Sequence, residues 1–144
     1  MSYDPYNVFA KILCGEVACH KVYEDADAIA FMDLMPQSPG HVQVVPKAPS
    51  RNLLDADPAV LAKIFPLVQR VALAAKAALA ADGVEIAQFN ELASGQTVFH
   101  LHFHVIPRFQ GQALKTRATR AKEDDVVLAA HAEKLKAALA TRTD

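Results

Sequence analysis

The chain has 144 residues, and 15 Lys and Arg against 16 Asp and Glu leave a formal charge of -1, which suits one domain spanning 1–144 and supplies no field for a polyanion. Nucleic acid and membrane are therefore not expected as partners, and a hydrophobic share of 52% excludes intrinsic disorder. Lys76 interrupts the Ala-rich middle, so no membrane-spanning stretch is expected; the opening Met-Ser-Tyr-Asp-Pro-Tyr has no basic region leading into an apolar core, which sets a cytoplasmic expectation.

Residues 7–14 place Val8, Phe9, Ile12 and Leu13 at helical spacing before Gly15, a natural helix stop. Cys14 and Cys19 are close in sequence and read as reduced thiols. Two extended pieces, His20–Glu24 and Ala28–Met32, flank an Asp-Ala-Asp turn and predict a hairpin. The breaker-rich Pro36–Gly40 leads into a third strand, His41–Val45, that stops at Pro46. Asp57-Pro58 starts a helix whose stripe of Val60, Ile64, Val68, Val71 and Leu79 runs to about Asp82-Gly83, with Pro66 expected to kink or break it. Val84–Asn90 and Thr97–Ile106 predict two further strands. Arg108, Lys115, Arg117, Arg120 and Lys122 then punctuate an acid-free stretch, read as a solvated loop with a phosphate-facing role as the alternative. Asp124 or Asp125 caps a last helix, about 124–141, carrying Leu128, His131, Leu135 and Leu139. Local hairpins with helices between and after them predict an α+β fold with a mostly antiparallel sheet.

Three of six histidines fall at His100, His102 and His104. On a strand such residues share one face, leaving Leu101, Phe103 and Val105 to bury on the other. A row of imidazoles supports two chemistries. One is a metal site, which needs further ligands; Cys14, Cys19, His20 and His41 offer no H-E-x-x-H or C-x-x-C arrangement. The other is nucleophilic catalysis, because a neutral imidazole presents a lone pair at neutral pH provided its second nitrogen is tied down. Ser94-Gly95-Gln96-Thr97, immediately upstream, offers backbone N–H groups and a hydroxyl suited to phosphate oxygens.

Gly95-Gln96-Thr97-Val98-Phe99-His100-Leu101-His102-Phe103-His104-Val105-Ile106 resembles the histidine-triad (HIT) signature. Ala30–Asp33, Pro36–His41 and Val44–Lys47 are similar to the family's N-terminal blocks in the same order, so the resemblance spans roughly residues 6–110. Within the family the chain is most similar to the nucleoside-phosphoramidase and bacterial branch. The resemblance implies a five-stranded antiparallel sheet with a central and a C-terminal helix, paired across a homodimer into ten strands. It implies that His102 attacks the α-phosphate of a nucleoside 5′-phosphoramidate or ester to give a nucleotidyl-histidine that water hydrolyses. The carbonyl of His100 would orient His102, and His104 and His41 would complete the cluster. Asp33 would accept ribose hydroxyls, with Phe9, Ile12, Phe31 and Leu34 near the base and Asn90, Gln96 and Thr97 along the phosphate and leaving group.

Rival readings are a dinucleoside-polyphosphate hydrolase using the same histidine and a nucleotide-binding interaction module with incidental turnover. No cofactor is expected. Some bacterial relatives hold a structural zinc, but the matching positions here are Asn7, Ala10 and Pro49 beside His100, so zinc is not expected. The residues beyond Arg108 match no part of the resemblance, which leaves the leaving-group preference open.

Overall fold

Alternation along the strands divides the sheet into two unlike faces. In the computed structural model, which describes residues 2–116 and 118–141, five antiparallel strands form one sheet. They are β1 (Lys21–Glu24), β2 (Ala28–Met32), β3 (Val42–Pro46), β4 (Gly83–Ala87) and β5 (Phe103–Arg108), in the order β1-β2-β3-β5-β4. Ala28, Ala30 and Met32 of β2, Val42 and Val44 of β3, and Phe103 and Val105 of β5 point to one side, as a period of two requires. There they join one core with buried residues of helices α2 (Pro58–Ala78) and α3 (Asp125–Ala140). The intervening residues face the short helix α1 (Val8–Leu13), where Phe9, Ile29, Phe31 and Val45 form a second, smaller cluster.

The helices begin as their caps dictate. Asn7 accepts a hydrogen bond from the Ala10 N–H, Asp57 from Ala59 and Asp124 from Val126, each satisfying an N–H that has no partner inside its helix. Pro66 does not end α2, which runs through it as one element. Its ring and Ala62, whose carbonyl loses a donor, are both exposed, so the freed carbonyl is open to solvent and the break costs the helix little. The helix instead stops at Leu79, earlier than Asp82-Gly83, because Ala80 turns left-handed (φ 51°) and the Ala81 N–H returns to the Lys76 carbonyl.

By length and mean hydropathy (1.4) α2 is apolar enough to cross a bilayer, contrary to the expectation from Lys76. Ile64, Leu67, Val68, Val71, Ala74 and Ala75 are nevertheless buried against the sheet and α3, which accounts for its composition as a core helix. On α3, Leu128, Leu135 and Leu139 are buried as expected, and Ala132 rather than His131 completes the stripe.

The largest difference from the sequence reading is the histidine segment. The fifth strand begins at Phe103, so only His104 of the three lies on it. Pairing with β3 runs Val42↔Val105, Gln43↔His104 and Val44↔Phe103, and continuing it would bring the strand to Pro46, which has no N–H to give. The chain turns away instead. The Leu101 N–H bonds the Ser50 carbonyl at 3.0 Å, and the His100 ring bonds the Pro46 carbonyl at 2.7 Å.

The basic stretch also differs from a merely solvated loop. Arg108 ends β5 and pairs with Glu85 at 2.7 Å, while Lys115 and Glu123 bond backbone carbonyls of Gln37 and Leu34. Arg117 lies outside the described residues.

Candidate active site

A cleft of about 350 Å³ opens on the α1 side of the sheet. Phe9 and Ile12 of α1, Phe31 at the end of β2, Asp33 and Leu34 just beyond it, Thr97, His102 and His104 all line it. Its apolar wall is stacked edge to face: the rings of Phe9 and Phe31 are 5.3 Å apart at their centres, and Phe9 and His102 4.9 Å. His102 and His104 are also 4.9 Å apart in this geometry.

Backbone groups, whose roles are fixed, determine which ring nitrogens carry protons. The His102 Nδ1 lies 2.7 Å from the His100 carbonyl oxygen. A carbonyl only accepts, so Nδ1 carries the proton and donates it, leaving the lone pair on Nε2. The Gln37 N–H donates to His41 Nδ1 at 3.1 Å, so His41 bears its proton on Nε2 and donates it to His104 Nδ1 at 2.9 Å. His104 in turn carries its proton on Nε2. His100 donates from Nε2 to the Pro46 carbonyl, and its Nδ1 accepts from the Tyr3 hydroxyl at 2.6 Å.

These tautomers require neutral rings, and burial supplies them. Loss of water pushes His41, His102 and His104 down to about 4 from 6.5. Asp33 opposes the shift in all three. Arg120 deepens it for His41 and His104, and the neighbouring His104 deepens it for His102. At neutral pH the cleft therefore holds a free imidazole lone pair beside an imidazole N–H donor, one able to attack an electrophilic centre and the other to hydrogen-bond a leaving group.

Other residues named from sequence lie outside the cleft wall. His41 is fully buried behind His104. His100 is fully buried between Tyr3 and Pro46, so the three histidines do not share one face; its backbone carbonyl reaches the site but its ring does not. Gln96 is 2% exposed and has all four side-chain bonds filled by protein: its oxygen accepts from Asn52 and the Glu91 N–H, and its nitrogen donates to the Arg51 and Val98 carbonyls. Asn90 accepts from the Leu53 N–H and exchanges bonds with Gln88. The N–H groups of Ser94, Gly95 and Gln96 close a turn onto the Leu92 and Glu91 carbonyls, so they face no phosphate. The Asn90 and Gln96 side chains instead pin the loop that delivers Thr97 and His102.

Sequence reasoning missed that pinning network. Arg51 forks onto Glu91 at 2.8 and 2.9 Å and lies 4.2 Å over the Phe99 ring, while Asn52 bridges Glu91 and Gln96. It also missed Gln43, whose amide nitrogen donates to Asp33 Oδ2 at 2.9 Å, leaving a buried amide oxygen with no partner among the described residues. The available signal was a lone polar residue inside the apolar run Val-Gln-Val-Val. Asp33 also accepts from the Met35 N–H at 2.8 Å, and a carboxylate retains further lone pairs for a ligand.

The same geometry bears on metal binding. At the positions of the relatives' zinc, Ala10 and Pro49 offer no side-chain donor, the Asn7 oxygen caps α1 and both His100 nitrogens are engaged, so these residues do not fit the ion. Asp33, His41 and His104 do bring ligand atoms within 4.8 Å of one another. Their spacing is accounted for by the His41–His104 hydrogen bond and the 3.4 Å approach of His41 to Asp33.

The sequence and fold match known proteins closely. The HIT domain family model covers residues 14–111. The structure of a Hit-like protein involved in cell-cycle regulation from Bartonella henselae superposes with a TM-score of 0.89 at 50% identity, covering 95% of this chain and 99% of that one. A zinc-bound histidine triad family protein from Mycobacterium smegmatis superposes with a TM-score of 0.83 at 36% identity over 94% of each chain. Adenylylsulfatase HINT3 of Arabidopsis thaliana is 36% identical over 107 residues, which cover 74% of this chain and 54% of that protein. With its imidazole pair, its family-model match and its near-complete superposition on such structures, the chain belongs to the HIT family.

Proposed function

We propose that the protein is a nucleotide hydrolase or transferase that cleaves nucleoside 5′-phosphoramidates or related α-phosphoryl esters through His102. The observation that carries this reading is the 2.7 Å bond from His102 Nδ1 to the His100 carbonyl, which leaves the Nε2 lone pair free at the cleft. In the first step Nε2 bonds to the α-phosphorus as the bond to the leaving nitrogen or oxygen breaks; His104 Nε2–H hydrogen-bonds the leaving atom, which takes up a proton from solvent. In the second, water attacks that phosphorus and gives up a proton to solvent, and the His102–phosphorus bond breaks to release the nucleoside monophosphate. The relative named an adenylylsulfatase supports including a mixed phosphate–sulfate anhydride among the substrates.

Phe9, Ile12, Phe31 and Leu34 supply an apolar slot for the base. Asp33 and the unpartnered Gln43 oxygen supply acceptors for the two ribose hydroxyls, with Thr97 beside the phosphate. His100, Asn90 and Gln96 act by position. Among the described residues no strand pairs with the outer edge of β4, and Ile86 and Phe89 beside it are 44% and 37% exposed; a homodimer continuing the sheet into ten strands would cover them. The unpaired Cys14 and Cys19 suit a reducing cytoplasm.

Purified protein is assayed on adenosine phosphoramidate, adenylylsulfate and a diadenosine polyphosphate. The reading expects turnover of at least one of the first two, exceeding that of the third. Tight nucleotide binding without turnover of any of them would contradict it.

A further inference from the structure

Residues 109–122 form no helix or strand among those described, yet the chain is fastened at two points. The Lys115 N–H bonds the Gln37 carbonyl at 3.0 Å and the Glu123 N–H bonds the Leu34 carbonyl at 2.9 Å. Both acceptors lie in the connection between β2 and β3, the connection that also carries Asp33 and His41. Between the two fastenings, the Arg120 N–H bonds the Thr116 carbonyl at 2.8 Å, and the Arg120 side chain joins the cleft wall with Asp33, His102 and His104. Its Nε is buried and has no hydrogen-bond partner among the described residues.

Two physical arguments say what that guanidinium awaits. A buried N–H left unbonded is costly, and more so on a charged group. Charge gives the second. Asp33 puts a carboxylate at the cleft, and the imidazoles are neutral at pH 7 because burial holds His41, His102 and His104 near 4. Among the described residues Arg120 is the only Lys or Arg lining the cleft. A phosphoryl ligand brings further negative charge into this space. Neutral imidazoles can donate hydrogen bonds to it, but a permanently charged, planar, multi-donor group matches an oxyanion far better.

We propose that Arg120 is the phosphoryl-anion receptor of the cleft, donating its guanidinium N–H groups to non-bridging oxygens of a nucleoside 5′-phosphate whose phosphorus faces His102. The inference rests on the reading of this cleft as a nucleotide site. It gives the unassigned basic stretch a purpose: the two backbone fastenings hold one fixed cation over a site otherwise built from neutral rings and an acid. Its contribution is to the anion and not to the base or sugar, so it separates nucleotides from nucleosides.

Calorimetric titration of the full chain with adenosine 5′-monophosphate and with adenosine tests this without reference to turnover. The unmodified protein is expected to bind the monophosphate more tightly than the nucleoside. Arg120→Gln should weaken monophosphate binding by about ten- to a hundredfold and leave adenosine binding within about twofold, and Arg120→Lys should recover part of the loss. If Arg120→Gln keeps the full preference for the monophosphate, or loses both ligands equally, the receptor assignment is overturned while the nucleotide cleft stands. Failure of the unmodified protein to bind either ligand would overturn the cleft reading and the receptor assignment together.

Discussion

The same strands present opposite chemistries on their two faces. Toward α2 and α3, Val42, Val44, Phe103 and Val105 meet Ile64, Val71 and Leu135 with no charged side chain among them. Toward α1, the residues between them, Gln43 and His104, meet His41, Asp33 and His102. One face gains from burial at roughly 25 cal/mol per Å². The other takes imidazoles and an amide out of water, which stabilises the fold only where each polar atom finds a partner. The helix-covered face thus carries stability and the α1 face chemistry, and each can be damaged without the other.

The sharpest separation comes from His102→Asn. It should lower turnover by about a thousandfold or more with little change in melting temperature, measured by steady-state assay and a thermal melt on the same preparation. The opposite case is Leu135→Ala, which removes a fully buried side chain and should cost about 2–5 kcal/mol of stability in urea unfolding while leaving KM unchanged under folded conditions.

Acid should strain the two faces unequally. The folded rings of His41, His102 and His104 take up protons near 4, against 6.5 when unfolded. Between those values the unfolded chain binds more protons, so stability is full above about 6.5 and declines as pH falls toward 4, the three rings acting together on that loss. Activity per folded molecule should persist to about pH 5 and fall near 4, where the His102 lone pair is lost. Denaturant titrations and kcat/KM measured across that interval check both statements.

Smaller effects test the cleft face alone. Gln43→Leu should reduce the preference for ribo- over 2′-deoxyribonucleotide by about tenfold or less, read from the ratio of their kcat/KM values. Chelation followed by elemental analysis should leave activity unchanged, since no step of the proposed reaction uses a metal.

What was legible in the sequence follows the same division. The core strands and helices announced themselves by periodicity and caps: Ala28–Met32 and Asp57-Pro58 fall where their patterns place them. The histidine row was legible as a site but not as a shape. Alternation alone makes a strand of residues 97–106, whereas Pro46 on the neighbouring strand ends the pairing at Phe103 and lets His100 turn inward. That is a tertiary effect with no local signal. Gln96 and Asn90 look like ligand-binding groups by type, and only their filled hydrogen bonds reveal a structural duty. Arg120 was legible only as one of five basic residues in a stretch read as solvated, with a phosphate-facing role as the alternative; its fastenings to Gln37 and Leu34, which bring it to the cleft, have no local signal.

The central claim is that His102 Nε2 forms a bond to phosphorus. The direct measurement is acid-free quenching of the enzyme milliseconds after mixing with adenosine phosphoramidate, or with adenylylsulfate if that is the better substrate, followed by mass spectrometry of the intact chain and its peptides. The account predicts one added adenylyl group, located on His102 and absent from His102→Asn. Turnover with no adduct at any time, or an adduct on another side chain, would contradict it.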